Sequence, residues 1–263
     1  IGRNRRVPII DVPAENGHDL LTTIDINIQD FADRTLRSKM KEKDVNGEIG
    51  VVVVMEVKTG DVKAIVNLTR GADGEYYEMK NNAVSDLWEP GSTFKTASIM
   101  IALEDGKIDV NKVVDCAPGI VKMHGRNMKD HNWHKGGYKE LKVEDILGQS
   151  SNIGVSKIID EAYGGNPSAY VDGLHRIGVG IPLNLPFVGR GEPYVPLPKN
   201  KERFWSKPDR PWMSIGYVTM LPPISTLTFY NAIANGGKMV RPRFVKAELK
   251  DGMVLREFPT EVI

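Results

Sequence analysis

Ser92 and Lys95 stand three residues apart in Glu89-Pro90-Gly91-Ser92-Thr93-Phe94-Lys95, at the head of a run with few helix breakers. A helix from Thr93 onward places both side chains on one face, because residues three apart are neighbours on a helix surface. A serine hydroxyl is a weak nucleophile until a base takes its proton. A lysine amine becomes such a base when burial or nearby cations bring its pKa toward neutrality. The free N–H groups and the positive end of the helix dipole near Ser92 favour negative charge developing there. The chemistry that fits is acyl transfer through a serine ester. Serine is also a preferred N-cap, so this spacing alone does not decide the matter.

A second group, Ser150-Ser151-Asn152, interrupts two helical stretches. At such a boundary Ser150 can pass a proton between Lys95 and a leaving amine. Asn152 can donate to a substrate amide and help hold Lys95. Helix capping accounts for the same residue types. If both groups serve one reaction, Ser92 Oγ, Lys95 Nζ, Ser150 Oγ and Asn152 are expected to converge within hydrogen-bond reach in one cleft.

The elements that must position them follow from periodicity and turn residues. Residues 1–20 read as a linker or extended arm, with Arg3, Arg5 and Arg6 as its one local charge bias. Residues 20–25 are strand-like, and 27–43 form an amphipathic helix with Ile28, Phe31 or Ala32, Leu36 and Met40 along one stripe. Residues 49–57 and 62–68 make a hairpin around Lys58-Thr59-Gly60-Asp61. A loop over 70–90 leads to the serine helix, whose inward face is Phe94, Ala97, Ile101 and Ala102 or Leu103. Residues 105–140 look irregular. Helices are expected over 141–148, 153–163, 167–177 and 223–235, the last ending at Gly236-Gly237. Residues 178–213 read as a long loop, and 239–258 as a closing hairpin with an Asp251-Gly252 turn. This order suggests one antiparallel sheet drawn from both chain ends, with a helical insertion between them, in an α+β fold.

Composition allows a full core: 263 residues, 41% of them hydrophobic. Thirty-five Lys and Arg nearly balance 34 Asp and Glu, which implies no nucleic-acid partner. The single Cys116 excludes an internal disulfide framework. No apolar run is long enough to cross a membrane. The chain opens on Ile1, so it is expected to be excised from a longer protein.

The joint pattern resembles the serine superfamily of penicillin-binding proteins and β-lactamases. Leu21-Thr22-Thr23-Ile24-Asp25, the hairpin near Val53 to Ile65, Trp88-Glu89-Pro90-Gly91-Ser92-Thr93-Phe94-Lys95, Gln149-Ser150-Ser151-Asn152-Ile153-Gly154, Ser214-Ile215-Gly216-Tyr217 and Ile233-Ala234-Asn235-Gly236-Gly237 look like a class B penicillin-binding protein transpeptidase domain. Asn82-Ala83-Val84-Ser85-Asp86 and Asp130-His131-Asn132 look most like the cell-division branch. The resemblance covers roughly residues 20–258, and is weaker from 160 to 213.

It implies a β-lactamase/transpeptidase-like fold over 21–263, an antiparallel sheet flanked by a helical subdomain. It implies Ser92 as nucleophile, Lys95 as base, Ser150 as proton relay and Asn152 as substrate ligand, with no cofactor and no metal. The implied partners are peptidoglycan stem peptides, β-lactam antibiotics and, through the parent protein, division-complex membrane proteins. The implied location is periplasmic or extracytoplasmic, with the parent anchored by an N-terminal membrane helix not in this chain. Two other functions remain open: a serine β-lactamase, and a β-lactam-binding sensor or scaffold domain without turnover.

The sequence departs from the family in one motif. The family's Lys-(Thr/Ser)-Gly, which binds the substrate carboxylate, is expected after Ser-x-Asn, and none follows Asn152. The domain is therefore expected to be incomplete at its C-terminal end. The one Lys-Thr-Gly, at Lys58-Thr59-Gly60, reads as a hairpin turn. Cys116, His124, His131 and His134 invite a zinc reading but lack the paired spacing of a structural site; polar loop residues near the cleft are expected instead. Glu192 sits roughly where a class A β-lactamase keeps its deacylating glutamate, and a structural loop role is the stronger reading. Phe204, Trp205 and Trp212 read either as an aromatic docking patch or as buried loop anchors.

Overall fold

The computed structural model describes residues 13–198 and 205–263. The first part of the chain holds β1 (Asp19–Thr22), α1 (Ile26–Met40), β2 (Ile49–Met55), β3 (Val62–Arg70), β4 (Tyr76–Tyr77), α2 (Asn82–Ser85) and α3 (Lys95–Glu104). Four short strands follow: β5 (Val113–Asp115), β6 (Ile120–Met123), β7 (Arg126–Lys129) and β8 (Glu140–Lys142). The rest comprises α4 (Val143–Gly148), α5 (Asn152–Tyr163), α6 (Pro167–Arg176), α7 (Asp209–Met213), α8 (Pro223–Ala234), β9 (Val245–Lys250) and β10 (Met253–Glu257). Single 3-10 turns lie at Gly91–Phe94 and Trp133–Lys135. Arg3, Arg5, Arg6 and Phe204 fall outside the described residues, as does most of the expected N-terminal arm.

Asp25 starts α1 by accepting from the N–H groups of Asn27 and Ile28. Ala32, Leu36 and Met40 then face β3, where Ala64, Val66 and Leu68 alternate inward. Phe31 points to solvent, so Ala32 fills the position that periodicity left open. β2 and β3 pair along their full length, and Lys58-Thr59-Gly60 turns between them.

The strands from the chain ends do meet, because β1 pairs β9 and β9 pairs β10. They do not form one sheet with the hairpin, as expected from the sequence; β2, β3 and β4 make a sheet of their own. The join is made by side chains and single backbone bonds instead of a ladder. Thr23 Oγ1 donates to Val62 O at 2.7 Å and to Arg243 O at 2.9 Å. Buried Asp61 pairs with Arg243 across the same seam at 2.5 Å.

The larger core lies in the helical body. Phe94, Ala97, Ile101 and Ala102 of the serine segment are all buried, packed among residues of α5 and α6 such as Ile158, Ile159 and Leu174. Three stretches differ from the sequence expectation. The 105–140 region carries β5 to β7 and the start of β8, strands of three or four residues, too short to show a period of two. Leu141 and Lys142, expected in a helix, belong to β8. α7 lies within the Gly- and Pro-rich 178–213 stretch, and Trp205 and Trp212 pack against the core as anchors.

α4 and α5 meet at Gly154, where an added Cβ would lie 2.7 Å from Ile146 Cγ1. Replacing Gly154 with Ala is therefore expected to destabilise the domain by about 1–3 kcal/mol. Urea unfolding of the variant beside the wild type checks this.

Candidate active site

Ser92 lies in the 3-10 turn, and Lys95 is the first residue of α3. The turn is strapped down from outside. Gly91 N–H donates to Gly216 O at 3.0 Å, and Trp88 and Leu221 exchange backbone bonds. Glu89 Oε1 accepts from Val218 N–H at 2.8 Å. Gly216 has φ +86°, and a Cβ there would fall 2.0 Å from Gly91 O, so the approach requires glycine. From α8, Tyr230 OH donates to Thr93 O at 2.7 Å. Ser92 itself is exposed, and among the described residues its hydroxyl makes no hydrogen bond.

Lys95 is only 2% exposed. Its Nζ donates to Ser150 O at 2.6 Å and to Ser150 Oγ at 2.9 Å. Burial lowers its pKa to about 8, against the opposing pull of the Asp130 charge. With its pKa there, about one amine in ten is neutral at pH 7, far more than for an ordinary lysine, and a general base needs that neutral form.

Ser150 is placed by how α4 ends. Ser150 N–H bonds Leu147 O at 3.0 Å and Ser151 N–H bonds Ile146 O at 2.9 Å, the two bonds of a Schellman cap. The residue at the left-handed position of that cap is usually glycine. Here it is Ser150, at φ +52°. A non-glycine residue in that conformation costs roughly 1–2 kcal/mol. Strain of this kind persists at functional sites where the surroundings impose it. The result is that Ser150 turns both its carbonyl and its hydroxyl to the lysine.

Ser151 then opens α5, accepting from Gly154 N–H at 2.9 Å. The structure brings Lys95 and Ser150 together but gives Asn152 a different partner. Its Nδ2 donates to Lys129 O at 2.7 Å, on β7, and among the described residues it makes no hydrogen bond to Lys95. As the first residue of α5 it lies beside the end of that strand.

Sequence reasoning missed the roles of Ser151 and Asp130 within their motifs, and of Glu89 and Gly216 as straps. The one usable signal was a glycine after Ile215. The residues considered for zinc are engaged elsewhere. His124 pairs with Asp160 at 2.9 Å, His131 stacks edge-on with Tyr138, and Cys116 takes a long bond from Ser151. No group of three or more His, Cys, Asp or Glu is placed to hold a metal among the described residues. Glu192 ion-pairs with Arg190 at 3.0 Å. The cavity of about 580 Å³ between Ile181–Asn184 and α8 is lined by none of Ser92, Lys95, Ser150 or Asn152.

An exposed serine one turn before a buried lysine, which donates to a second serine at a helix corner, supplies the groups that acyl transfer through serine needs. Comparison with known proteins agrees. Residues 50–261 match the family model for the penicillin binding protein transpeptidase domain. The chain belongs to that family. It is 32% identical over 234 residues to the peptidoglycan D,D-transpeptidase FtsI of Escherichia coli K12, covering 87% of this chain and 37% of that protein. It is 29% identical over 227 residues to FtsI of Buchnera aphidicola, covering 84% of this chain and 37% of that one. The chain thus spans well under half the length of these relatives. Among solved structures, penicillin binding protein 3 of Mycobacterium tuberculosis in complex with ampicillin superposes with a TM-score of 0.79 at 26% identity, over 97% of this chain and 55% of that one. The fold is the α+β transpeptidase fold that the sequence led us to expect.

The strain at Ser150 has a measurable signature. Of two variants that both lack the hydroxyl, Ser150→Gly is expected to be more stable than Ser150→Ala by about 1 kcal/mol, because only glycine takes φ +52° without cost. Thermal melts of the pair read the difference directly.

Proposed function

We propose that this chain is the acyl-transferring part of a peptidoglycan D,D-transpeptidase of the cell-division type. Lys95 takes the proton of Ser92 Oγ as that oxygen attacks the carbonyl of the penultimate D-Ala of a stem peptide. The tetrahedral oxyanion is held by backbone N–H groups, that of Ser92 among them. The C–N bond breaks, the D-Ala amine leaves with a proton delivered from Lys95 through Ser150, and Ser92 carries the acyl ester. An amine of a second stem peptide then attacks the ester and gives up a proton to Lys95. A new amide forms, Ser92 Oγ is released, and it regains its proton from Lys95. Asn152, held by Lys129, offers its amide to the substrate backbone.

One observation supports this reading most. A nearly fully buried lysine with lowered pKa donates to the carbonyl and the hydroxyl of Ser150, the residue the relay requires. The substrate class places the chemistry outside the cytoplasmic membrane. Among the described residues no helix is long and apolar enough to cross a membrane, so a membrane helix would belong to another part of the parent. Association with division-complex membrane proteins through the parent completes the proposal.

β-Lactams mimic the D-Ala-D-Ala carbonyl, so benzylpenicillin should acylate the full-length protein. Intact mass is expected to rise by one penicilloyl group that persists for many minutes, with peptide mapping to Ser92 and no adduct on Ser92→Ala. Rapid return to the free mass would indicate a β-lactamase. A stable adduct with no cross-linking of stem peptides would indicate a sensor or scaffold. No adduct at all would refute the proposal.

A further inference from the structure

Behind the Ser150-Ser151-Asn152 corner lies a carboxylate to which the acyl-transfer scheme gives no role. Asp130, directly after β7, is 1% exposed. A buried carboxylate is costly unless its oxygens are satisfied. Asp130 meets that cost with groups of the corner itself. Ser151 Oγ donates to its Oδ2 at 2.9 Å and lies 3.1 Å from its Oδ1, and Ile153 N–H donates to Oδ1 at 3.0 Å. Its own backbone is fixed on both sides, with Asp130 N–H on Gly119 O at 3.0 Å and Trp133 N–H on Asp130 O at 3.1 Å. No cation lies within ion-pair distance of it among the described residues.

Two consequences follow from this placement. The carboxylate grips the first turn of α5 through its N-cap, and the residue before that cap is the strained Ser150. Pulling Ser151 toward β7 therefore holds Ser150 in the left-handed position from which it faces Lys95. The second consequence is electrostatic. Charges in a low-dielectric interior act over several ångströms. The field of Asp130 reaches Lys95, where it favours the ammonium, and also Cys116 and Tyr138, whose ionisation it opposes. Around Asp130 the titratable groups are Cys116 after β5, Tyr138 before β8, His131 beside it in sequence, and Lys95 on α3; Lys157 of α5 and Asp115 of β5 act on Cys116.

We propose that Asp130 is a positioning residue of the acyl-transfer centre: through Ser151 it fixes Ser150 against Lys95, and its buried carboxylate adds a negative charge behind that corner. This rests on the acyl-transfer reading above. The charge favours the ammonium form of Lys95, against the larger effect of its burial.

The test is the pH profile of Ser92 acylation by a fluorescent penicillin in the full-length protein. Asp130→Asn keeps the shape and can still accept from Ile153 N–H, but removes the charge. Its acylation inflection is expected to fall by about one pH unit relative to wild type. Ser151→Ala keeps the charge but cuts the grip. Its plateau rate is expected to drop about tenfold with the inflection unmoved. An Asp130→Asn profile with the wild-type inflection would overturn the inference. So would a Ser151→Ala plateau equal to wild type, and that variant decides the question if Asp130→Asn does not fold. Failure of the wild-type protein itself to acylate would instead overturn the acyl-transfer reading.

Discussion

Everything in this domain is arranged around a lysine taken out of water. An ammonium group in an apolar interior loses its hydration and regains little of it, so the neutral amine gains ground. Among the described residues Lys95 keeps the carbonyl and hydroxyl of Ser150 as its hydrogen-bond partners. That burial is possible because α3 is the centre of the larger core, enclosed by α5 and α6. The fold thus sets the basicity of one side chain by its packing, while leaving Ser92 exposed one turn earlier.

The groups that face Lys95 come from the ends of helices and not from their middles. α4 stops in a Schellman cap and α5 starts on the next residue but one, so two consecutive serines close one helix and open the other. A helix end fixes its residues by the need to satisfy its free backbone groups. The corner is rigid for that reason, and Asp130 makes it more so. On the other side, the serine turn is fastened by Gly216 and Glu89 to residues 216–221. Reactive groups held by secondary structure on both sides move little, and acyl transfer depends on such placement.

Much of this was legible in the sequence, for physical reasons that differ by element. α1, α5 and α8 were readable from capping residues and long apolar periods. The pair Ser92 and Lys95 was readable because the sequence around it is unbroken, although the 3-10 turn that carries Ser92 was not. The four strands between 113 and 142 were invisible, since runs of three or four residues hardly display alternation. The separation of the two sheets was equally hidden. The seam that joins them depends on Thr23, Asp61 and Arg243 meeting across the fold, which no local pattern encodes. Asn152 was read as a partner of Lys95, but its position as first residue of α5 turns it to Lys129. Asp130 gave a sequence resemblance but no hint of its contacts, because burial of a carboxylate is a property of the assembled core.

The central claim is that Lys95 is a base by virtue of its burial, and it can be measured without any substrate. In protein labelled with ¹³C at the lysine ε-carbon, the Lys95 resonance is identified by its loss in Lys95→Met and followed across pH. The account expects this one lysine to titrate near pH 8, where burial places it. Titration with the solvent-exposed lysines, near the ordinary value of about 10.4, would contradict it.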